Sequence, residues 1–193
     1  YLCVLIAIGL ICLERIPTSG IFYFNVDEAV SAVVAQEIAE GGLPYRDAID
    51  HRGPLTYYFY AGIMEMFGAW NMKAVHISYA FLLSLIAGIL FWSDKKIGAW
   101  AALLFAVFSW THPPMDMWAA HTEWLLILGT STAMMILFLK EIQSYFVLLV
   151  GLLLGLAALS KQVAVWDLAA VGGWILWINW QWPMVWKQLV LQG

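Results

Sequence analysis

Long apolar runs recur along this chain, and a soluble fold of its length has nowhere to hide them. They lie at about 1–13, 74–92, 97–110, 122–139, 145–159 and 162–180. Ala74 to Trp92 alone is 19 residues, and a helix needs about 20 apolar residues to cross a bilayer. Composition points the same way. Of 193 residues, 63% are hydrophobic and 11% charged, against about 45–50% and about 25% in a soluble domain. A soluble core of this size cannot enclose that much apolar surface. The net charge of −4 offers no basic footprint for nucleic acid. A soluble enzyme, a disordered tail and a nucleic-acid binder are thereby set aside. The expected fold class is an all-α integral membrane protein, a polytopic helix bundle forming one module over residues 1–193.

Cys3 and Cys12 both fall in the first apolar run and read as small core residues, not as a disulfide or metal pair. No basic stretch precedes that run and no small-residue cleavage site follows it, so a signal peptide is not expected. The first run looks like the stub of a span, and the chain is expected to be the N-terminal part of a longer one.

Glu14 and Arg15 are expected to end the first span. From there to Lys73 runs a polar segment of 60 residues that holds eight of the 13 acids. It is read as an outer loop, 14–73, with two surface helices. The first, about 27–40, has Val30, Val33, Val34 and Ile38 at helical spacing, with Asn25 or Asp27 as cap and Gly41-Gly42 as stop. Its other face carries Ser31, Gln36 and Glu40. The second, about 54–67, opens on Pro54 and stops at Gly68, with four aromatic residues in a row at Tyr57 to Tyr60. It is short for a span and reads as interfacial, with a true span as the alternative.

Lys95-Lys96, Lys140 and Lys187 fall on one side of this scheme, which the positive-inside rule makes cytoplasmic. Arg15, Arg46, Arg52, Lys73 and Lys161 fall on the other, five against four. The orientation therefore rests on the short turns. The 12 Trp suit interfacial belts. Gly151 and Gly155 have the spacing that lets helices approach closely.

Chemistry concentrates at a few charges. Asp27-Glu28 can act as a general base or hold a cation; equally, the pair can cap a helix and favour its positive end. Arg52, just before a helix start, suits a bidentate phosphate contact or a lipid headgroup. His51 reads as a metal ligand or as a hydrogen-bonding loop residue. Glu123 lies at the mouth of a span, where an ionisable group is either functional or simply exposed at the interface. Its expected partners are His121 or a base from the long loop. His112, Asp116, His121 and Glu123 match no fixed metal-ligand spacing. Lys161 breaks two apolar runs and reads as an anion ligand or a snorkelling lysine. No Gly-rich phosphate loop, serine-hydrolase elbow or zinc-protease motif occurs.

Four weak motifs in order carry a resemblance. They are Asp27-Glu28; Leu43-Pro44-Tyr45-Arg46-Asp47 with Asp50-His51-Arg52-Gly53-Pro54; His121-Thr122-Glu123; and Gly155-Leu156-Ala157-Ala158-Leu159-Ser160-Lys161. Together they resemble the N-terminal half of GT-C class glycosyltransferases, nearest in pattern to protein O-mannosyltransferases and the lipid A aminoarabinose transferase. The resemblance covers about residues 1–180. It implies an enzyme that moves a sugar from a polyprenyl-phosphate donor to an acceptor hydroxyl on a lipid, polysaccharide or protein. It implies an active site at the outer face of a membrane, expected to be the bacterial inner membrane. By that analogy Asp27 is the catalytic base, Glu28 and Glu123 are further catalytic carboxylates, and Arg52 and Lys161 hold the donor phosphate. His51 and His121 lend support. Arg52-Gly53-Pro54 stands where the family has Lys-Pro-Pro. The later outer loops that bind acceptor in the family are not among these residues. No cofactor is expected; a divalent cation is conceivable but not predicted. The rival expectations are a transporter or flippase for a lipid-linked molecule, whose charges should sit near the bilayer midplane, and a structural subunit, whose charges need not converge.

Overall fold

A computed structural model of the chain describes residues 1–94, 96–110, 118–139 and 144–177. All regular elements among them are helical. These are α1 (Leu2–Thr18), α2 (Val26–Ala39), α3 (Pro54–Phe67), α4 (Met72–Ser93), α5 (Gly98–Phe108), α6 (Thr122–Leu139) and α7 (Ser144–Ser160). The helix α8 (Gln162–Trp177) follows, opening on the 3-10 turn Gln162–Ala164.

The helix ends follow local chemistry. Asn25, not Asp27, caps α2, its side chain accepting the Glu28 N–H at 2.9 Å. Gly41 closes that helix at φ +95° and Gly68 closes α3 at φ +107°, conformations open to glycine and strained for other residues. Pro54 opens α3 and Asn71 caps α4. Between α4 and α5, Asp94 accepts the N–H groups of Lys96 and Ile97 at 2.7 and 2.8 Å.

Three expectations need correction. First, Glu14 and Arg15 do not end α1, which continues through Pro17 to Thr18. Both charges turn inward instead. They are 5% and 3% exposed. The Ser109 hydroxyl donates to Glu14 Oε2 at 3.2 Å, and Arg15 donates to the Trp118 carbonyl at 3.3 Å with its guanidinium 5.5 Å from the Trp124 ring centre. Second, the inward face of α2 is not its valine stripe: Glu28, Ser31, Ala32 and Ala35 are buried with Val34, while Val33 is exposed. Small side chains let α2 sit close on α3. Third, Gly151 and Gly155 have no neighbour near where a Cβ would lie, so they make no close helix contact among the described residues. The close approach falls at Gly129 of α6, where a Cβ would stand 3.0 Å from Ala157 of α7.

The longest helix, α4, forms the axis of the molecule. It packs against α1, α3, α5 and α6, while α6 packs on α7, α2 on α3, and α3 on α7. Ala7 and Ile11 of α1, Tyr60 and Met64 of α3, Val75, Tyr79 and Leu83 of α4, and Ala102 of α5 share one apolar core. A second cluster joins Ala133, Leu137, Val150, Leu154 and Val171. The outside is also apolar: Leu5, Phe81, Trp100, Leu104, Leu152 and Trp166 are all exposed. Among the described residues, α4 is the one helix long and apolar enough to cross a membrane, with 22 residues at a mean hydropathy of 2.1. The helices α5 to α8 are apolar but shorter.

Candidate functional site

The chain passes back and forth so that several polar helix ends meet at one end of the bundle. The C-terminal turn of α1, the starts of α2, α3, α4, α6 and α8, and the end of α7 all lie there. A cleft of about 780 Å³ opens between them, and Asp27, Glu28, His51, Arg52, His121, Glu123 and Lys161 all line it. These are the seven residues singled out from the sequence. They come from four separate stretches of chain, and the structure brings them to one cavity.

Arg52 anchors one wall. Its Nη2 lies 2.7 Å from Asp27 Oδ1 and its Nη1 2.5 Å from Asp50 Oδ2. The Arg52 side chain is 10% exposed and Asp50 is 7% exposed, whereas Asp27 is 67% exposed. The guanidinium is thus fixed from below by a buried carboxylate and carries a solvent-facing carboxylate above. Backbone bonds hold the same segment. The Tyr57 hydroxyl accepts the Arg52 N–H at 3.1 Å and donates to Asp50 at 2.8 Å, while the Tyr45 hydroxyl donates to the Arg52 carbonyl at 2.5 Å. Burial pushes the Asp50 carboxyl up, but the His51 N–H, the Tyr57 hydroxyl and Arg52 outweigh it and hold Asp50 below its ordinary value. Burial disfavours the Arg52 charge, yet Asp27 and Asp50 more than offset it and raise its pKa. Burial and the Asp50 charge push the Tyr57 hydroxyl up, keeping it a donor. His51 is 87% exposed and its Nδ1 lies 2.9 Å from Asp50 Oδ1.

Gly53 sits where the fold leaves no room for a side chain. A Cβ there would run into the carbonyl of Leu159 at the end of α7. The missing side chain lets the Arg52 segment lie directly against the backbone that leads to Lys161.

Glu123 also lines the cleft, paired with Lys161 through its Oε1. Neither expected partner of Glu123 is the one that ion-pairs with it. Lys161 is correspondingly not a free snorkelling lysine. The Thr122 hydroxyl also donates to Glu123, at 3.0 Å.

Glu28 stands apart from Asp27 despite adjacency. It is 2% exposed, and both its oxygens are engaged. Phe24 N–H donates to Oε2 at 2.7 Å, Ala120 N–H to Oε1 at 2.9 Å, and His76 Nε2 lies 2.7 Å from Oε1. Both readings of the Asp27-Glu28 pair drawn from sequence involved the helix start or the chemistry. The structure adds a third role for Glu28, as a buried strut joining α2, α4 and the turn before α6.

Three contributors were missed from sequence: Asp50, Tyr57 and His76. Asp50 had a signal, being the nearest charge to Arg52 in the chain. Tyr57 was hidden in an aromatic run, and His76 in an apolar one. Among the described residues no group of three or more His, Cys, Asp or Glu is arranged to hold a metal. His112 and Asp116 lie outside the described residues, as do Lys95, Lys140 and Lys187.

Comparison with protein-family models, with curated proteins and with solved structures finds no match to this chain.

Proposed function

We propose that this chain is part of a membrane glycosyltransferase that takes a sugar from a polyprenyl-phosphate donor and passes it to an acceptor hydroxyl at the outer face of the membrane. The observation that carries the reading is one cleft lined by two acid–base ion pairs, Asp27–Arg52 and Glu123–Lys161. Glycosyl transfer from a phosphate needs a proton acceptor for the incoming hydroxyl and positive charge for the leaving phosphate. Here each cation stands beside a carboxylate in a cleft large enough for a sugar phosphate.

The acceptor oxygen attacks the anomeric carbon, the bond from that carbon to the phosphate oxygen breaks, and the hydroxyl proton passes to Asp27. The polyprenyl phosphate leaves with the bonding electron pair, its charge held by Arg52 and Lys161. A phosphate seated on Arg52 draws hydrogen bonds away from Asp27 and leaves that carboxylate freer to accept the proton. Glu123 orients the reacting hydroxyls. The apolar exterior supports the membrane setting: α1 and α4 to α8 form a polytopic bundle, the polyprenyl tail lies along its apolar surface, and α2 and α3 rest at the interface. The positive-inside rule puts Lys96 in the cytoplasm and the cleft outside.

The test uses the full protein in proteoliposomes with a radiolabelled mixture of polyprenyl-phosphate sugars. Loss of sugar from the lipid is followed for wild type and Asp27→Asn. Wild type is expected to release sugar and the variant to slow by about 10²–10⁴-fold, the usual contribution of a general base, while remaining folded. Release that survives the substitution moves the base to Glu123. No release with any acceptor, joined to movement of the intact lipid across the bilayer, replaces the reading with a transporter. One observation favours that second reading: Asp167 of α8 accepts a hydrogen bond from Thr130 of α6 at 3.0 Å beside a recess of about 310 Å³. That is a carboxylate among apolar helices, where transporters carry binding charges.

A further inference from the structure

His76 is the only histidine in α4 and is 4% exposed. Each ring nitrogen faces one partner. Nδ1 lies 3.0 Å from the Ser19 carbonyl and Nε2 lies 2.7 Å from Glu28 Oε1. A carbonyl oxygen only accepts, so Nδ1 carries a hydrogen. The second nitrogen meets Glu28, whose carboxyl also accepts the N–H groups of Phe24 and Ala120. The ring thus bridges the chain just after α1 and the first turn of α2 from within α4.

The other charges around this group are few. Arg15 of α1 acts on Glu28 through space, and the hydroxyls of Tyr60 and Tyr79 sense the same carboxylate. The Ser19 carbonyl is fixed in turn, because it follows directly on the C-terminal turn of α1. The ring of Phe24 lies 5.1 Å from the imidazole and covers it.

We propose that His76 is a positioning residue of the cleft: through Nε2 it holds Glu28, and Glu28 in turn fixes Asp27 at the start of α2 and the Ala120–His121 turn that leads to Glu123. Asp27 is the residue before Glu28 on the same helical turn, so a displaced Glu28 carries the Asp27 carboxylate away from Arg52. Ala120 is held twice, its N–H by Glu28 and its carbonyl by the Tyr60 hydroxyl at 2.5 Å. One buried imidazole thus reaches, through Glu28, the segments that carry both ion pairs of the site. This inference rests on the proposed transfer reaction for its kinetic consequence, but its structural content stands without it.

Two substitutions separate the two ring nitrogens. In His76→Gln the amide nitrogen takes the place of Nε2 and keeps a donor toward Glu28, losing the Ser19 contact. In His76→Asn the amide nitrogen takes the place of Nδ1 and keeps the Ser19 contact, losing Glu28. The expected result is that His76→Gln retains transfer within about threefold and His76→Asn loses at least about tenfold. Amide hydrogen exchange of Phe24 and Ala120 is read on the same proteins and needs no activity. Both amides are expected to stay protected in His76→Gln and to exchange at least about tenfold faster in His76→Asn. Equal exchange in the two variants overturns the proposal. If wild type shows no transfer but the exchange contrast holds, the glycosyltransferase reading fails while the positioning role of His76 stands.

Discussion

Adjacent in sequence, Asp27 and Glu28 should behave as opposites when replaced. Asp27 is a largely exposed partner of Arg52, and exposed ion pairs contribute about 0–1 kcal/mol. Glu28 is enclosed with His76 and two backbone donors. Leaving a buried donor without its acceptor costs about 1–3 kcal/mol. Asp27→Asn should therefore leave the thermal midpoint nearly unchanged while Glu28→Ala lowers it clearly. Equal shifts would mean that the two carboxylates share one structural role. A second residue-scale prediction concerns acid. Hydrogen bonds and Arg52 hold Asp50 below its ordinary value against the pull of burial. A carboxylate depressed in the folded state stabilises it above the unfolded value, about 3.9, and that stabilisation is lost as pH falls through the folded value. Unfolding midpoints measured across that range should fall less steeply for Asp50→Asn than for wild type; parallel slopes would remove Asp50 as the anchor of Arg52. The charged positions were legible because a charge stands out in an apolar chain. Their pairings were not. Lys161 is 38 residues from Glu123, and only the turn from α6 through α7 brings the two together. His76 was illegible for the opposite reason: a lone histidine in an apolar run has the same appearance whether it fills a core or holds a carboxylate.

At the scale of elements, glycines separate the contacts that matter from those that the pattern alone suggests. Helix boundaries at Pro54, Gly41 and Gly68 were readable, because proline and positive-φ glycine act locally. The end of α1 was not, because burial of Glu14 and Arg15 depends on Ser109 and Trp118, far along the chain. Likewise the spacing of Gly151 and Gly155 signals close packing only if a helix lies opposite, and none does among the described residues. Gly53 is the reverse case, a glycine in a loop whose need for no side chain comes from Leu159 on another helix. Gly53→Ala is expected to force α3 from α7, destabilise by about 1–3 kcal/mol as overpacking does, and slow transfer by shifting Arg52. Gly151→Ala should be neutral or stabilising by up to about 1 kcal/mol, since alanine is the better helix former. Chemical denaturation of the two variants side by side checks this. A Gly53→Ala protein as stable and active as wild type would mean that the Arg52 segment does not rest on the α7 backbone.

For the whole molecule, the decisive property is that its polar ends are sorted. His76 at the start of α4 meets Glu28, Ser109 at the end of α5 meets Glu14, and Glu123 at the start of α6 meets Lys161 after α7. Of these, Glu28, Ser109, Glu123 and Lys161 line the cleft. The turn that carries Asp94 and Lys96 joins the far ends of α4 and α5. Between the two ends, α4 extends about 33 Å at 1.5 Å per residue, close to the ~30 Å apolar thickness of a bilayer. The helix α5 has 11 residues and extends only about 16 Å, so it spans only if neighbouring chain completes its path. On the proposed membrane reading, the cleft and the Asp94–Lys96 turn must face opposite aqueous compartments. Cys3 and Cys12 are first replaced by serine, and single cysteines are then set at Asp47, in the exposed loop beside the cleft, and at Lys96. An impermeant maleimide applied to intact cells stripped of their outer layer should label Asp47→Cys at once. Lys96→Cys should label only after the membrane is opened, because short basic turns are retained in the cytoplasm. Labelling of both from outside would make α4 the buried axis of a bundle that does not cross. The apolar exterior would then need a protein partner to cover it, and the polyprenyl donor would lose its route to Arg52.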